Sequence, residues 1–259
     1  MAAIYEPSGK AREYSPLALN IYNGCDHHCR YCYVKGILAG ADFPTPKKNL
    51  LVDLRKEAAR GVDKQVLLCF MGDPYCKLEM TLGLTRQALE IMTHYDVPVA
   101  ILTKGGPRIY RDVDIIKSFK SIKIGATLTF DNDGDSSEWE PDAAGPEERI
   151  EMLSRMHDEG IKTWVSIEPV IDPKQSLALI ERTVGFVDQY KIGRWNHDSR
   201  AACIDWATFG KEAVEILRTN GKQFYVKNDL AIHVTDLHPE ERDADLLAIK
   251  AYITQKTLF

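Results

Sequence analysis

Three cysteines fall within eight residues in the run Gly24-Cys25-Asp-His-His-Cys29-Arg-Tyr-Cys32-Tyr33, a C-x3-C-x2-C spacing. Thiolates this close can converge on one metal centre, and an odd number of them does not pair off into disulfides. An iron–sulfur cube normally takes four cysteines, so a site with three leaves one iron open to a substrate or cosubstrate. Zinc is the competing reading, with His27 or His28 completing a Cys3His site, which would make the chain a zinc-stabilised α/β binding protein without catalysis. Structural zinc modules usually present paired C-x2-C knuckles, however, and a chain of this length needs no zinc to fold.

Apolar periodicity supplies the elements that must position this run. After an irregular arm over residues 1–16, Leu17-Ala-Leu-Asn-Ile-Tyr22 reads as a short buried strand, and residues 23–48 form the long stretch carrying the cysteines. Val66-Leu-Leu-Cys-Phe-Met71 is a continuous apolar run stopped by Gly72-Asp-Pro, as expected of a strand buried on both faces. Further strands are predicted over 99–103, 122–129, 161–167, 190–193 and 223–227. Helices are predicted over 51–60, 80–95, 112–119, 146–160, 174–187, from Asp205 through Leu217, and over 240–253, with a polar loop at 131–145. Pro146 followed by Glu147 and Glu148 suits the positive end of a helix.

Six β–α units in a row imply right-handed crossovers and a parallel sheet, either an open doubly wound sheet or a barrel. The expected fold is α/β, a partial (β/α)6 barrel with parallel strands plus a C-terminal strand and helix. Its parts are the arm at 1–16, the barrel at 17–235 and a helical tail at 236–259 packed on the same domain. Chemistry is then expected at the C-terminal ends of the strands.

Composition sets the outer bounds. The 259 residues carry 33 Lys+Arg and 38 Asp+Glu, a net charge of −5, with 44% apolar and 27% charged residues. That is enough apolar surface for a sizeable core. No run of about 18 apolar residues suggests a membrane span, and the start of the chain lacks the apolar stretch of a secretory signal, so a cytoplasmic chain is expected. The acidic balance gives no general pull toward nucleic acid, and the nearest basic cluster is Lys47-Lys48 with Arg55 and Lys56.

C-x3-C-x-aromatic-C after the first strand of a β–α repeat resembles the signature of the radical S-adenosylmethionine superfamily. The motifs Met71-Gly-Asp-Pro-Tyr75, Leu102-Thr-Lys104, Glu140-Pro with Gly145-Pro-Glu-Glu-Arg149, and Ile167-Glu168-Pro169-Val170 follow the order of its spore photoproduct lyase-like group. The resemblance covers about Leu19 to Lys227. It implies that Cys25, Cys29 and Cys32 hold a [4Fe–4S] cluster whose fourth iron binds S-adenosylmethionine. Reductive cleavage of that cosubstrate yields a 5′-deoxyadenosyl radical, which takes a hydrogen atom from the substrate. A small electron donor such as flavodoxin or ferredoxin is implied, and a nucleobase, nucleoside or nucleic-acid lesion is the substrate class the group suggests.

The same resemblance assigns cosubstrate roles. Tyr31 would flank the adenine; Gly72 and Asp73 would receive the amino group; Lys104 would pair with the methionine carboxylate. Thr127, on the same strand face as Thr129, and Glu168 would reach the adenosine region. Trp195, Asn196 and His197 follow the sixth strand at the barrel mouth, where an aromatic plane and hydrogen-bonding groups suit a substrate.

The chain departs from the group at one position. In spore photoproduct lyase a hydrogen-returning cysteine stands three residues before the loop aspartate, and counting back from Asp73 gives Phe70. Cys69 is one residue off, which in a strand reverses its face, so it is expected to be a packed core thiol. Tyr75 and Cys76 are therefore the candidate catalytic residues, with Cys203 a further thiol within reach of the mouth.

Overall fold

The computed structural model describes residues 2–251. Eight strands form one sheet, ordered along the sheet as they are in the chain: β1 (Ile4–Tyr5), β2 (Leu17–Leu19), β3 (Val66–Leu68), β4 (Val99–Thr103), β5 (Ile122–Thr127), β6 (Lys162–Ile167), β7 (Gln189–Ile192) and β8 (Gln223–Val226). All neighbouring pairs are parallel except β1 with β2. This is the expected α/β partial barrel. β1 also shows that the arm is not irregular throughout, since Ile4 and Tyr5 pair with Leu19 and Ala18.

The strands read as unbroken apolar runs because both of their faces are buried. Along β4, Val99 and Ile101 join the large core beneath the helices, while Ala100 and Leu102 face inward. The inner layer comprises Leu67, Ala100 and Trp164, with Tyr14, Phe70 and Leu102 packed against it. The indole N–H of Trp164 donates to the Ile101 carbonyl at 3.0 Å. Gly125 makes room for that ring, since a Cβ there would lie 2.4 Å from Nε1 of Trp164.

β2 and β8 do not pair, and the arm crosses the gap between them. The Glu13 carboxylate accepts from the Tyr225 hydroxyl at 2.7 Å and the Asn228 amide at 2.8 Å. Arg12 forks onto Asp245 with two bonds of 2.7 Å. On the other side, the Ser15 hydroxyl donates to the Gln65 carbonyl at 2.9 Å. Lys191, buried inside the barrel, donates to the carbonyls of Glu13 at 2.6 Å and Tyr14 at 3.1 Å.

Several elements differ from expectation. The expected C-terminal helix at 240–253 is absent over the described residues. A short 3-10 turn, Pro239–Arg242, is followed by irregular chain to 251, and positions 252 and 253 lie outside the described residues. Irregular backbone suffices there because the segment supplies main-chain acceptors to the barrel floor: Lys123 donates to the Leu247 carbonyl at 2.6 Å and Ser121 to that of Lys250 at 3.0 Å. The polar loop at 131–145 contains a helix, Asp133–Trp139, whose cap Asn132 accepts from the Asp135 amide at 2.9 Å. The helix expected over 80–95 breaks at Gly83, in the left-handed region at φ +62°.

Burial pushes the Lys191 ammonium down to about 7, with Lys227 adding to the shift, from an ordinary 10.5. Between these values the unfolded chain binds the extra proton, so stability rises with pH across that window, and the penalty is fully present below about pH 7. Lys191→Met should therefore flatten the rise in unfolding free energy between pH 7 and 9, measured by urea titration; a slope equal to that of the parent protein would contradict the assignment.

Candidate active site

One cavity of about 320 Å³ opens at the C-terminal ends of the strands. Cys25, Cys29 and Cys32 all line it, as do Tyr31, Gly72, Asp73, Lys104, Thr127, Glu168, Trp195, Asn196 and His197. The structure thus gathers twelve of the fourteen expected site residues at one place.

The cysteine run is pressed against the turn after β3. Asn20 accepts from the amides of Phe70 and Met71 at 2.8 and 3.0 Å, and the Gly24 amide donates to the Met71 carbonyl at 2.8 Å. Gly72 is required in this contact, because a Cβ there would stand 2.4 Å from the Gly24 carbonyl oxygen. The Asp26 carboxylate accepts from the amides of Lys77 and Leu78 at 2.9 and 3.2 Å, fixing the start of the run.

The donors at the run decide what it can hold. All six cysteines are free thiols. The ligand atoms of Cys25, Asp26 and His27 lie within 4.8 Å of one another. Asp26 is already committed to backbone amides, and His27 Nε2 meets an Arg108 guanidinium nitrogen at 2.9 Å. Arginine only donates, so Nε2 accepts and Nδ1 carries the proton, turned toward Asp73 at 3.6 Å. Burial holds His27 down to about 4, against the opposing pull of Asp73. His28 lies on Asp142 at 2.6 Å. Neither histidine has the freedom of a fourth zinc ligand, and the remaining donor set, three thiols facing a cavity, fits an iron–sulfur cube with one position open.

Beside the thiols lies a network of charges. Asp73 accepts from the Thr103 hydroxyl at 2.6 Å and from the amides of Tyr75 and Lys104 at 2.8 Å. Arg149 and Glu140, both buried, pair at 2.5 Å; Arg149 also donates to the Ala144 and Thr127 carbonyls at 2.8 and 3.1 Å. The Tyr31 hydroxyl donates to Glu140 as well, and its ring stacks toward Trp139 at a centroid distance of 6.4 Å.

Lys104 is the free member of this group. Its ammonium is 4.0 Å from Glu140 and 5.3 Å from the Tyr31 ring centre, and it has no hydrogen-bond partner among the described residues. Burial works to lower its pKa, but Cys29 and Glu140 outweigh burial and the net shift is upward, so it stays charged.

Across the cavity, Glu168 accepts from the Tyr14 hydroxyl and the Lys227 ammonium at 2.5 Å and from Asn196 at 3.0 Å. Trp195 is buried edge-on against Trp139 at 5.8 Å, whereas His197 is exposed at φ +64°. Tyr14, Lys10 and Lys227 line the cavity without having been singled out from sequence. Lys227 carries the strand-end signal that marks the other positions, but nothing in the composition of the arm identifies Lys10 or Tyr14.

The thiol expectation is met only in part. Tyr75 and Cys76 are wholly buried and do not line the cavity; the Tyr75 hydroxyl donates to Asp112 at 3.1 Å, and burial pushes the Cys76 thiol up to about 12. Cys69 packs in the core, as expected, and also lines the cavity next to Phe70. Strand pairing ends at Leu68, so face alternation counted back from Asp73 does not extend through residues 69–72. Cys203 lies exposed in a 3-10 turn away from the cavity, and Thr129 is buried with its hydroxyl 3.3 Å from that of Tyr31.

Comparison with known proteins agrees with this arrangement. The Radical SAM superfamily profile matches residues 19–187. An uncharacterized protein of Methanocaldococcus jannaschii is 28% identical over 59% of this chain and 60% of its own length. An uncharacterized protein of Mycobacterium tuberculosis is 26% identical over 59% of this chain and 49% of its own. The chain thus matches no more than about 60% of these relatives' lengths. Among solved structures, Streptococcus suis SuiB bound to S-adenosylmethionine superposes with a TM-score of 0.65 at 16% identity, over 85% of this chain and 52% of that one. Spore photoproduct lyase complexed with dinucleoside spore photoproduct gives 0.66 at 12% identity, over 86% and 79%. At such identities the two structures share the fold. The profile match, covering more than half of the chain and including the three cavity cysteines, places it among the radical S-adenosylmethionine enzymes, whose cofactors are a [4Fe–4S] cluster and S-adenosylmethionine.

Proposed function

We propose that this enzyme cleaves S-adenosylmethionine reductively and then abstracts a hydrogen atom from an organic substrate, with a nucleobase or nucleic-acid lesion as the first class to test and a lyase-type outcome. The observation that carries this reading is the convergence on a single cavity of three thiols and the Lys104 ammonium, which has no hydrogen-bond partner among the described residues. The lesion class draws support from the spore photoproduct lyase neighbour, whose structure holds a dinucleoside spore photoproduct. A small flavodoxin- or ferredoxin-type donor in the cytoplasm, where the thiols stay reduced, completes the proposal.

When bound, the reduced cluster supplies the electron that breaks a carbon–sulfur bond of the cosubstrate. The chain's own residues bind and shield. Cys25, Cys29 and Cys32 hold the iron, and Lys104 pairs with the cosubstrate carboxylate. The Gly72-Asp73 turn presents backbone and negative charge to its amino group, Tyr31 and Thr127 wall the adenosine side, and Glu168 accepts from its hydroxyls. Trp195 excludes water from the substrate side, where Asn196 offers hydrogen bonds. Cys69, the further thiol lining the cavity, returns a hydrogen atom to the product radical, and the thiyl radical left on it is restored by a proton and one electron from the same small donor.

Anaerobic reconstitution should yield a brown protein with about four irons per chain. Cys29→Ala should lose both the iron and 5′-deoxyadenosine formation under reductant; a colourless, zinc-loaded parent protein would sink the proposal. Lys104→Met should weaken cosubstrate binding by roughly tenfold or more, the scale of one charge-assisted hydrogen bond, in equilibrium dialysis. With a dinucleoside spore photoproduct as the first substrate, Cys69→Ala should alter the product distribution while 5′-deoxyadenosine still forms. Cys76→Ala should leave the products unchanged and lower only stability, and the opposite pattern would return the role to Cys76.

A further inference from the structure

The part of the cavity contributed from outside the matched family segment carries one unbalanced charge. Lys10, Arg194 and Lys227 line it. Lys227 is matched by Glu168 at 2.5 Å and Lys10 by Asp229 at 2.8 Å. Arg194 reaches no carboxylate within ion-pair distance among the described residues. Its guanidinium lies over the Trp206 ring at 4.7 Å, with one terminal nitrogen 3.0 Å from His233 Nε2 and 3.5 Å from the Asp229 carbonyl.

Two features separate this from an ordinary packed arginine. The Nε–H is buried without a hydrogen-bond partner, and the second terminal nitrogen makes no hydrogen bond to the described residues. Nε and that nitrogen form one edge of the guanidinium fork, the edge that matches a carboxylate or phosphate with two parallel bonds. The ring of Trp206 and the His233 contact hold the fork still, so little orientation is left to lose on binding.

We propose that Arg194 receives an oxyanion of the substrate, a phosphate or a carboxylate. This deepens the function proposed above and rests on it. The net charge of −5 does not oppose it, because surface charges beyond about 8–10 Å are largely screened while a cation in a cavity is screened much less. A substrate with its anionic group at Arg194 presents the remainder to the aromatic and thiol-lined interior formed by Phe70, Trp195 and Cys69.

Lys104 would also attract an anion, so the test fills that position first. Reconstituted protein saturated with S-adenosylmethionine, without reductant, is titrated calorimetrically with inorganic phosphate and separately with acetate at constant ionic strength. One anion should bind once per chain, and the preference between the two identifies phosphate or carboxylate as the natural group. Arg194→Met should weaken it at least about tenfold, and Arg194→Lys should restore part of the affinity by keeping the charge without the fork. Far-UV circular dichroism establishes that each variant is folded. Equal anion affinity in Arg194→Met, or no anion binding in the parent protein, overturns the inference. Failure of S-adenosylmethionine itself to bind counts against the proposed function instead, and phosphate titrations of the parent and Arg194→Met proteins without it still decide the role of Arg194.

Discussion

Glu140 and Arg149 are both nearly inaccessible to water, and their pairing organises the side of the cavity that bears the three thiols and Lys104. Burial alone would drive a carboxylate to protonate, but Arg149 and then Lys104 overcome it, and Glu140 is held below its ordinary value. The pair is joined to the backbone at Thr127 and Ala144, to the Tyr31 hydroxyl between two cysteines, and by charge to Lys104. Removing one partner of such a pair costs about 3–5 kcal/mol, because the other charge is left stranded. The loop after β5, the first turn of the helix Pro146–Asp158, the cysteine run and the free ammonium are thus parts of one electrostatic unit.

A second unit faces it. Glu168, at the end of β6, gathers a tyrosine from the arm, a lysine from the end of β8 and an asparagine from the loop after β7. The two units differ in origin. The first is built within the segment that the superfamily shares, whereas most of the second comes from residues before 19 and after 187. Residues inside the profile match and residues outside it therefore line the same space.

Much of this was legible in the residues. The cysteine spacing, the strand ends at Asp73, Lys104, Thr127 and Glu168, and the mouth tripeptide Trp195-Asn196-His197 all reach the cavity, because parallel strands deliver their C-terminal ends to one side. The failures have separate physical causes. Cys69 is the core thiol the residue count implies, yet it also lines the cavity, because face alternation stops where strand pairing stops, at Leu68. The helix Asp133–Trp139 was hidden by a glycine and two serines of poor helix propensity, although Asn132 is a good cap. The amphipathic pattern after Glu240 suggested a helix, but the tail is held by main-chain carbonyls offered to Lys123 and Ser121, which requires irregular backbone. Lys10 and Tyr14 matter only because the arm crosses an unclosed barrel, a tertiary fact with no local signal.

The crossing of the arm bears on when the cavity can exist during synthesis. Glu13 bonds to Tyr225 and Asn228, and Lys10 to Asp229, contacts separated by more than 200 positions along the chain. Contacts so distant in sequence form only after most of the chain is available, and their loop-closure entropy must be met by structure already in place. The thiol run, by contrast, rests on the turn after β3, within the first third of the chain. The wall bearing the three thiols can thus be assembled while the wall reached by the arm is still unmade. The wall that the arm builds with Tyr225, Asn228 and Asp229 closes later, when those residues reach Lys10 and Glu13.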